Sequence, residues 1–362
     1  LINLHSTEEK RIIGLMSGTS LDGLDIACVV FPNEAKNPRF TLEHAETVPL
    51  PQDLLLELET IEGLSARLVF QLNQKLGLFY AKSVTSFLDK YSIPFGDVDA
   101  IASHGQTVFH QPGQGFTVQL GCGATLAYHT GIPVINNFRS LDVAAGGQGA
   151  PLVPLGDTML FGNEAASFLN IGGFTNLSFC DNGTHKAFDV SPGNLPLNRY
   201  AQLLGKAYDE NGLIAAASTP NSALLAKLNR LPFYAVSGPK SLGSEWLHDV
   251  FYPCIPLDIA PEIALATLTE HIAMQLAAVL KYNALPSVMV TGGGALNQHL
   301  MERLKAHYSG KVVIPSNDWV HFKEAIIFAF LGYRFLKREF NCLASVTGAS
   351  KNVCGGTLHY PE

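Results

Sequence analysis

Residues 14 to 25 read Gly-Leu-Met-Ser-Gly-Thr-Ser-Leu-Asp-Gly-Leu-Asp, and the fold follows from what brackets them. Ile12-Ile13 leads in, and Ile26-Ala27-Cys28-Val29-Val30-Phe31 leads out. Two apolar runs around a tight polar turn predict strand, turn, strand. Gly18 and Gly23 permit backbone angles and close approaches that a side chain blocks. Ser17, Thr19 and Ser20 add hydroxyls, and a turn of this kind can aim several N–H groups at one anion, here expected to be phosphate. A hairpin turn that is simply rich in Ser and Gly is the competing reading.

Outward from this hairpin the chain alternates strands and helices. Strands are predicted at 39–50, 98–103, 116–120 and 134–135, and helices at 64–91 and 124–129. A glycine-rich loop, Ala144 to Pro151, precedes the apolar stretch Leu152 to Phe161. The pattern then restarts. Ser167 to Ile171 is a strand, Gly172-Gly173-Phe174-Thr175-Asn176 a turn, and strands at 177–180 and 186–190 precede a helix from about Leu195 to Leu204. After an irregular region come a helix at 265–282, a strand at 288–290 and Thr291-Gly292-Gly293-Gly294-Ala295-Leu296-Asn297. A helix at 297–307, a strand at 312–314 and a helix at 323–340 follow. The fold class is therefore α/β with largely parallel central strands, built as two copies of one architecture without residue-level repetition.

A length of 362 residues exceeds one ordinary core, so two domains are expected: 1–160, and 161–362 with roughly the last 20 residues packing back on the first. Apolar residues make up 47% and charged residues 15% of the chain, which excludes a disordered protein. A formal charge of −7 argues against nucleic acid or an anionic membrane as partner. The cysteines at 28, 122, 180, 254, 342 and 354 show no paired spacing and read as free thiols. No signal-peptide core is seen in Leu1 to Lys10, and no run is read as a membrane span. A cytoplasmic protein is expected.

Three glycine-rich turns, at Gly18, Gly172 and Gly292, each follow an apolar strand, where α/β sheets place their ligands. Neither a P-loop nor Rossmann spacing is present. Asp189, in Phe188-Asp189-Val190-Ser191-Pro192-Gly193-Asn194, is the candidate catalytic side chain. An Asx turn or helix cap is an equal alternative for it. Asp22 suits a Mg²⁺ shell through water, or a turn cap. His104 and His110 have no ligand partner at metal spacing and read as loop histidines. Arg139 and Asp142 read as an ion pair or a polar substrate contact, and Glu324 as part of a solvated helix face or a ligand contact.

Seven segments in order resemble the anhydro-N-acetylmuramic acid kinases. They are Gly14–Asp25, Ser103–Thr107, Phe138–Pro154, Asn170–Asn176, Phe188–Asn194, Thr291–Asn297 and Ser345–Ala349. The resemblance implies the sugar kinase, heat-shock ATPase and actin fold, a duplicated ribonuclease H-like architecture hinged around an ATP cleft that closes on ligand. It implies ATP and Mg²⁺ as cofactors, a homodimer, and a role in cell-wall recycling. The implied reaction opens the 1,6-anhydro bridge with water and phosphorylates the 6-oxygen. Carried onto these positions, the resemblance makes Asp189 the general base. It gives nucleotide contacts to Gly18, Thr19, Ser20, Leu21, Asp22, Gly23, Gly172, Gly173, Thr175, Gly292, Gly293, Gly294 and Asn297. Arg139, Asn194 and Glu324 fall to the sugar, and Asp22 to the metal. The chain departs from the usual Asp-Thr-Gly-Pro-Gly-Asn at Val190-Ser191, has Asn198 where an acid is common, and has Ile326-Ile327 after Glu324-Ala325. A kinase of another anhydro-sugar or hexose, or an ATP-driven sensor module of the same fold, are the alternatives.

Overall fold

A computed structural model of the chain describes residues 9–18, 21–32, 39–236, 238 and 240–361. The chain divides into two compact units, residues 1–160 with 322–362, and residues 161–321.

In the first unit, β1 (Lys10–Ser17) and β2 (Leu24–Phe31) form the hairpin, with Gly14 opposite Ala27. The strand β3 (Thr41–Val48) extends it antiparallel to β2. On the other side β4 (Ala100–Gln111) runs parallel to β1, and β5 (Phe116–Leu120) folds back on β4. Next comes β6 (Val134–Asn136), parallel to β4. Ile12, Ile13, Leu15 and Ile101 are fully buried, as continuous apolar strands covered on both faces must be. Helix α1 (Ala66–Lys90) lays Leu72, Leu76, Tyr80, Val84 and Phe87 against Ile13, Leu15 and Ile26, one stripe at helical spacing.

Strand alternation turns Gly14 away from Ile13 and Leu15. There it meets a helix from the end of the chain, since a Cβ at Gly14 would come within 1.9 Å of the Ala325 carbonyl oxygen. This contact, with Gly332 against Ala102, explains why the chain from Phe322 onward packs in the first unit. The returning segment is thus longer than the sequence suggests.

The second unit repeats the path. Strands β7 (Ser167–Ile171), β8 (Phe174–Asp181) and β9 (Thr184–Pro192) are antiparallel neighbours. Strands β10 (Ser287–Thr291) and β11 (Lys311–Val313) run parallel beyond β7. The order β11-β10-β7-β8-β9 matches β6-β4-β1-β2-β3, to which the first unit adds β12 (Thr357–His359) beside β6. Two α/β sheets of one strand order are the duplicated architecture that the sequence implies. Helices α2 (Asn194–Gln202) and α3 (Pro261–Tyr282) cover the second sheet.

Two expectations need correction. Against the expectation that no run could span a membrane, helix α3 is long and apolar enough to do so by length and composition; most of it is buried in the core of its own unit. Strand β4 continues past its expected end at Ser103 through His104-Gly105-Gln106, because β5 supplies partners at Gln106 and Thr107. All six cysteines are free, as their spacing predicts.

Candidate active site

In the first unit the leading turn is held from below. The buried Ser17 hydroxyl donates to Gln106 Oε1 at 2.5 Å, and Gln106 Nε2 donates to the Gly18 carbonyl at 3.2 Å. Gln106 was not singled out in the sequence. Its signal is position, at the point where a central parallel strand leaves the apolar core. Leu21 spends its N–H on the Gly18 carbonyl at 3.2 Å, with φ at 60°, and its side chain packs on the core. Gly23 is buried, and a Cβ there would press on the Val48 carbonyl oxygen at 2.8 Å. Leu21 and Gly23 therefore shape the turn. Asp22 is exposed, while Asp25 accepts from Thr47 Oγ1 at 2.6 Å. Thr19 and Ser20 lie outside the described residues.

Arg139 lies in the same unit, just past β6. Its Nε and Nη2 donate to His104 Nε2 at 3.0 and 2.8 Å, and its Nη1 donates to the Gly149 carbonyl at 2.7 Å. The Arg139–Asp142 ion pair does not form. Asp142 is fully buried and accepts instead from the Gly149 N–H and the Thr347 hydroxyl, each at 2.8 Å. Burial lowers the Arg139 pKa to about 10, against the raising influence of the Glu324 charge. Burial pushes the Glu324 carboxyl up, opposed by Lys323 and Arg139. Glu324 is thus no solvated surface acid. Beside it Lys323 Nζ and Asp157 Oδ1 form a buried ion pair at 2.9 Å.

In the second unit Asp189 lies in β9, opposite Asn176 and short of the strand's end at Pro192. The segment at 240–242 runs along this edge. The Asp189 N–H donates to the Lys240 carbonyl at 2.9 Å, and Asp189 Oδ2 accepts the Leu242 N–H at 2.8 Å. Burial raises the Asp189 pKa, with the Leu242 N–H opposing. The carboxylate makes no ion pair among the described residues. The helix-cap alternative for Asp189 also falls away. Helix α2 has Gly193 at its N-cap, and its leading N–H groups, on Gly193 and Asn194, go to the Gly173 and Gly172 carbonyls at 2.8 Å.

Those carbonyls belong to the second glycine turn, and the third lies against it. Gly292 has φ at 80°, and a Cβ there would meet Asn170 Oδ1 at 2.6 Å. A Cβ at Gly294 would meet Ile171 Cγ2 at 2.1 Å, and one at Gly293 would find Asn194 Nδ2 at 3.5 Å. The fold therefore brings Gly172, Gly173, Gly293 and Asn194 together at the carboxyl ends of β7 and β10. Asn194, assigned to the sugar by the resemblance, sits among the glycine turns, where its Nδ2 donates to the Ile171 carbonyl at 3.4 Å.

Three of the positions expected to touch the nucleotide carry packing or hydrogen bonds of their own. Gly294 is buried, and packing against Ile171 requires its lack of a side chain. Thr175 is fully buried, and its hydroxyl is engaged with the Ser191 carbonyl, hydroxyl and N–H. Asn297 caps the helix Gln298–His307 through Oδ1, which accepts the Leu300 N–H at 2.9 Å. The departures from the usual pattern fall largely inside the fold. Val190, Ser191, Ile326 and Ile327 are buried, while Asn198 is half-buried on α2.

Among the described residues no three His, Cys, Asp or Glu side chains are grouped to hold a metal. The exposed Asp22 carboxylate on a turn of this kind nevertheless fits Mg²⁺ arriving with a nucleotide, since Mg²⁺ takes one or two carboxylates plus phosphates and keeps several waters.

Residues 10–361 match the family model described as anhydro-N-acetylmuramic acid kinase. The enzyme of that name from Variovorax paradoxus is 40% identical, over 97% of this chain and 99% of its own. That from Bacillus cereus is 35% identical over 97% of both chains, and that from Francisella tularensis subsp. novicida 34% over 98% and 100%. Among solved structures, component A of the Acidaminococcus fermentans (R)-2-hydroxyglutaryl-CoA dehydratase overlays with a TM-score of 0.47 at 11% identity, covering 90% of this chain and 99% of its own, a likeness too loose to carry an argument. On the full-length family match, the chain belongs to the anhydro-N-acetylmuramic acid kinase family.

Proposed function

We propose that this chain uses ATP and water to convert 1,6-anhydro-N-acetylmuramic acid into N-acetylmuramic acid 6-phosphate and ADP, a step of cell-wall recycling. The end-to-end family match carries the reading. The environment of Asp189 supports its chemistry.

Asp189 acts as general base. It takes a proton from a water whose oxygen bonds to the anomeric carbon as the C1–O6 bond breaks. One carboxylate oxygen is pinned by Leu242, which fixes the direction of the other. The freed 6-oxygen accepts the γ-phosphoryl group, so no separate acid has to protonate it. Arg139 and Glu324 hold the sugar. The N–H groups of the Gly18, Gly172–Gly173 and Gly293 turns receive the nucleotide, because phosphoryl transfer depends mainly on positioning and charge stabilisation. Asp22 would hold Mg²⁺, and the ion would neutralise charge on the phosphates. A homodimer and a cytoplasmic setting accompany this reading.

A coupled ADP-release assay over several anhydro-sugars and hexoses tests it, with identification of the sugar phosphate. Phosphate on a hexose but not on the anhydro-sugar refutes the substrate. Asp189→Asn lowers kcat by about 10²–10⁴ if the base assignment holds; turnover close to that of the unaltered protein refutes it.

A further inference from the structure

Three of Arg139's five N–H groups are accounted for by His104 and the Gly149 carbonyl. One N–H therefore remains on each terminal nitrogen among the described residues. An arginine that keeps a donor on each terminal nitrogen and has its plane fixed from behind can offer both to a planar acceptor. His104 does the fixing. A guanidinium can only donate, so Nε2 of His104 must be the acceptor. That makes the ring neutral, with its proton on Nδ1.

The ring cannot turn away. His104 is buried, and its centroid lies 4.6 Å from that of Phe328, which packs on Phe138. Burial and the neighbouring Arg139 charge hold its pKa well below the ordinary value, although the Ser17 and Gly105 main chain pulls the other way. The other titratable groups beside Arg139 are the Glu324 and Asp142 carboxyls and the Cys342 thiol, which burial keeps neutral. The proposed sugar site gives His104 no role, and its sequence context reads as a loop histidine.

We infer that His104 is the positioning residue of the sugar site: it holds the Arg139 guanidinium in one plane and presents the two remaining N–H groups to an acidic or carbonyl group of the sugar. The inference rests on the reading of Arg139 as a sugar contact. His104 touches neither the reacting atoms nor the nucleotide in this scheme, so its loss weakens sugar recognition and leaves the chemical step in place.

Two substitutions separate this role from simple packing. His104→Leu removes the acceptor, while His104→Gln can return an acceptor oxygen close to the place of Nε2. A hydrogen bond to a charged group is worth about 1.5–3 kcal/mol, so His104→Leu should raise KM for the anhydro-sugar about 10- to 100-fold. kcat and KM for ATP should move by no more than about twofold, the scale of half a kcal/mol expected of uncoupled sites. His104→Gln should recover at least about tenfold of the sugar KM. In ¹⁵N-histidine spectra of the unaltered protein, His104 should keep a bare Nε2 through the usual titration range near pH 6.5.

Equal sugar KM in both variants, a parallel rise in KM for ATP, or an imidazolium signal for His104 overturns the inference. Should His104→Leu not fold, Arg139→Lys replaces it: a lysine keeps the charge but loses the fork, and an unchanged sugar KM refutes the role. If the unaltered protein turns over no anhydro-sugar, the functional reading falls. The His104–Arg139 arrangement is then still decided by the spectra.

Discussion

The Leu242 N–H donates to Asp189 Oδ2 at 2.8 Å, so the proposed base is held by main chain that lies far from it in sequence. Burial is the larger influence on Asp189 and keeps its pKa above the ordinary carboxylate value of about 3.9. A base works only when ionised. The acid limb of kcat/KM should therefore lie at higher pH than an exposed aspartate would give, with activity lost as pH falls through it. The same shift has a sign for stability. A raised folded-state pKa contributes stability below the unfolded value and loses it as pH rises through the folded value. Asp189→Asn should accordingly be more stable than the unaltered protein at neutral pH and gain nothing in acid. Melting curves at both pH values, beside the pH–rate profile, check this.

A second prediction concerns the buried pair under Glu324. Lys323 and Asp157 are each only 4% exposed in their side chains and 2.9 Å apart. Removing one member breaks a buried ion pair, which typically costs about 3–5 kcal/mol. Lys323→Met should therefore destabilise the protein by that order. The double variant Lys323→Met with Asp157→Leu should recover most of the loss, because a packed apolar pair carries no desolvation penalty. Urea titrations of the three proteins test the coupling. A double variant as unstable as the single one refutes the account.

The third turn offers a test by substitution at its tightest point. A Cβ at Gly294 would sit 2.1 Å from Ile171 Cγ2, against the end of β7. Overpacking of this kind costs about 1–3 kcal/mol. Gly294→Ala should therefore lower stability, push the loop off β7 and weaken ATP binding. Gly293→Ala meets nothing closer than 3.5 Å and should fold like the unaltered protein. ATP titration by calorimetry on both variants separates packing from ligand contact. Equal stability of the two would contradict the packing explanation.

Most strands were legible because their apolar runs are short, continuous and bounded by Gly or Pro, as at Ser167–Ile171. Strand β4 was cut short because Gly105 and Gln106 look like turn chemistry, and only pairing with β5 keeps them extended. The same kind of error hid His104, whose environment depends on Arg139 and Phe328, both remote in sequence. The glycines were seen but their reasons were mixed. Gly172 has ordinary space around it, whereas Gly23 and Gly294 are required by neighbours that no local pattern reveals. Thr175 shows the limit most plainly, since a hydroxyl in a glycine turn suggests phosphate until Ser191 is found across the ladder. The return of the last residues to the first unit is expected from the sequence, but its start near Phe322 depends on Gly14 meeting Ala325 and shows in no local pattern.

That return also rests on one buried carboxylate. Asp142 Oδ1 accepts the Thr347 hydroxyl and Oδ2 accepts the Gly149 N–H, so one side chain ties the glycine-rich loop to the Ser345–Ala349 motif. The Thr347 carbonyl in turn accepts the Gln148 N–H at 2.8 Å, which makes the link reciprocal. Thr347→Val keeps the shape and removes the one donor to Oδ1. Hydrogen bonds to a charged group contribute about 1.5–3 kcal/mol, and a fully buried acceptor has no water to turn to. Thr347→Val should therefore destabilise the protein by that amount, while Thr347→Ser keeps the donor and should lose about half as much or less. Because Gly149 also carries the carbonyl that holds Arg139, the loosened loop should raise KM for the sugar more than KM for ATP. Denaturation curves and the two KM values decide it. A valine variant as stable as the serine one would mean that Asp142 does not join these segments.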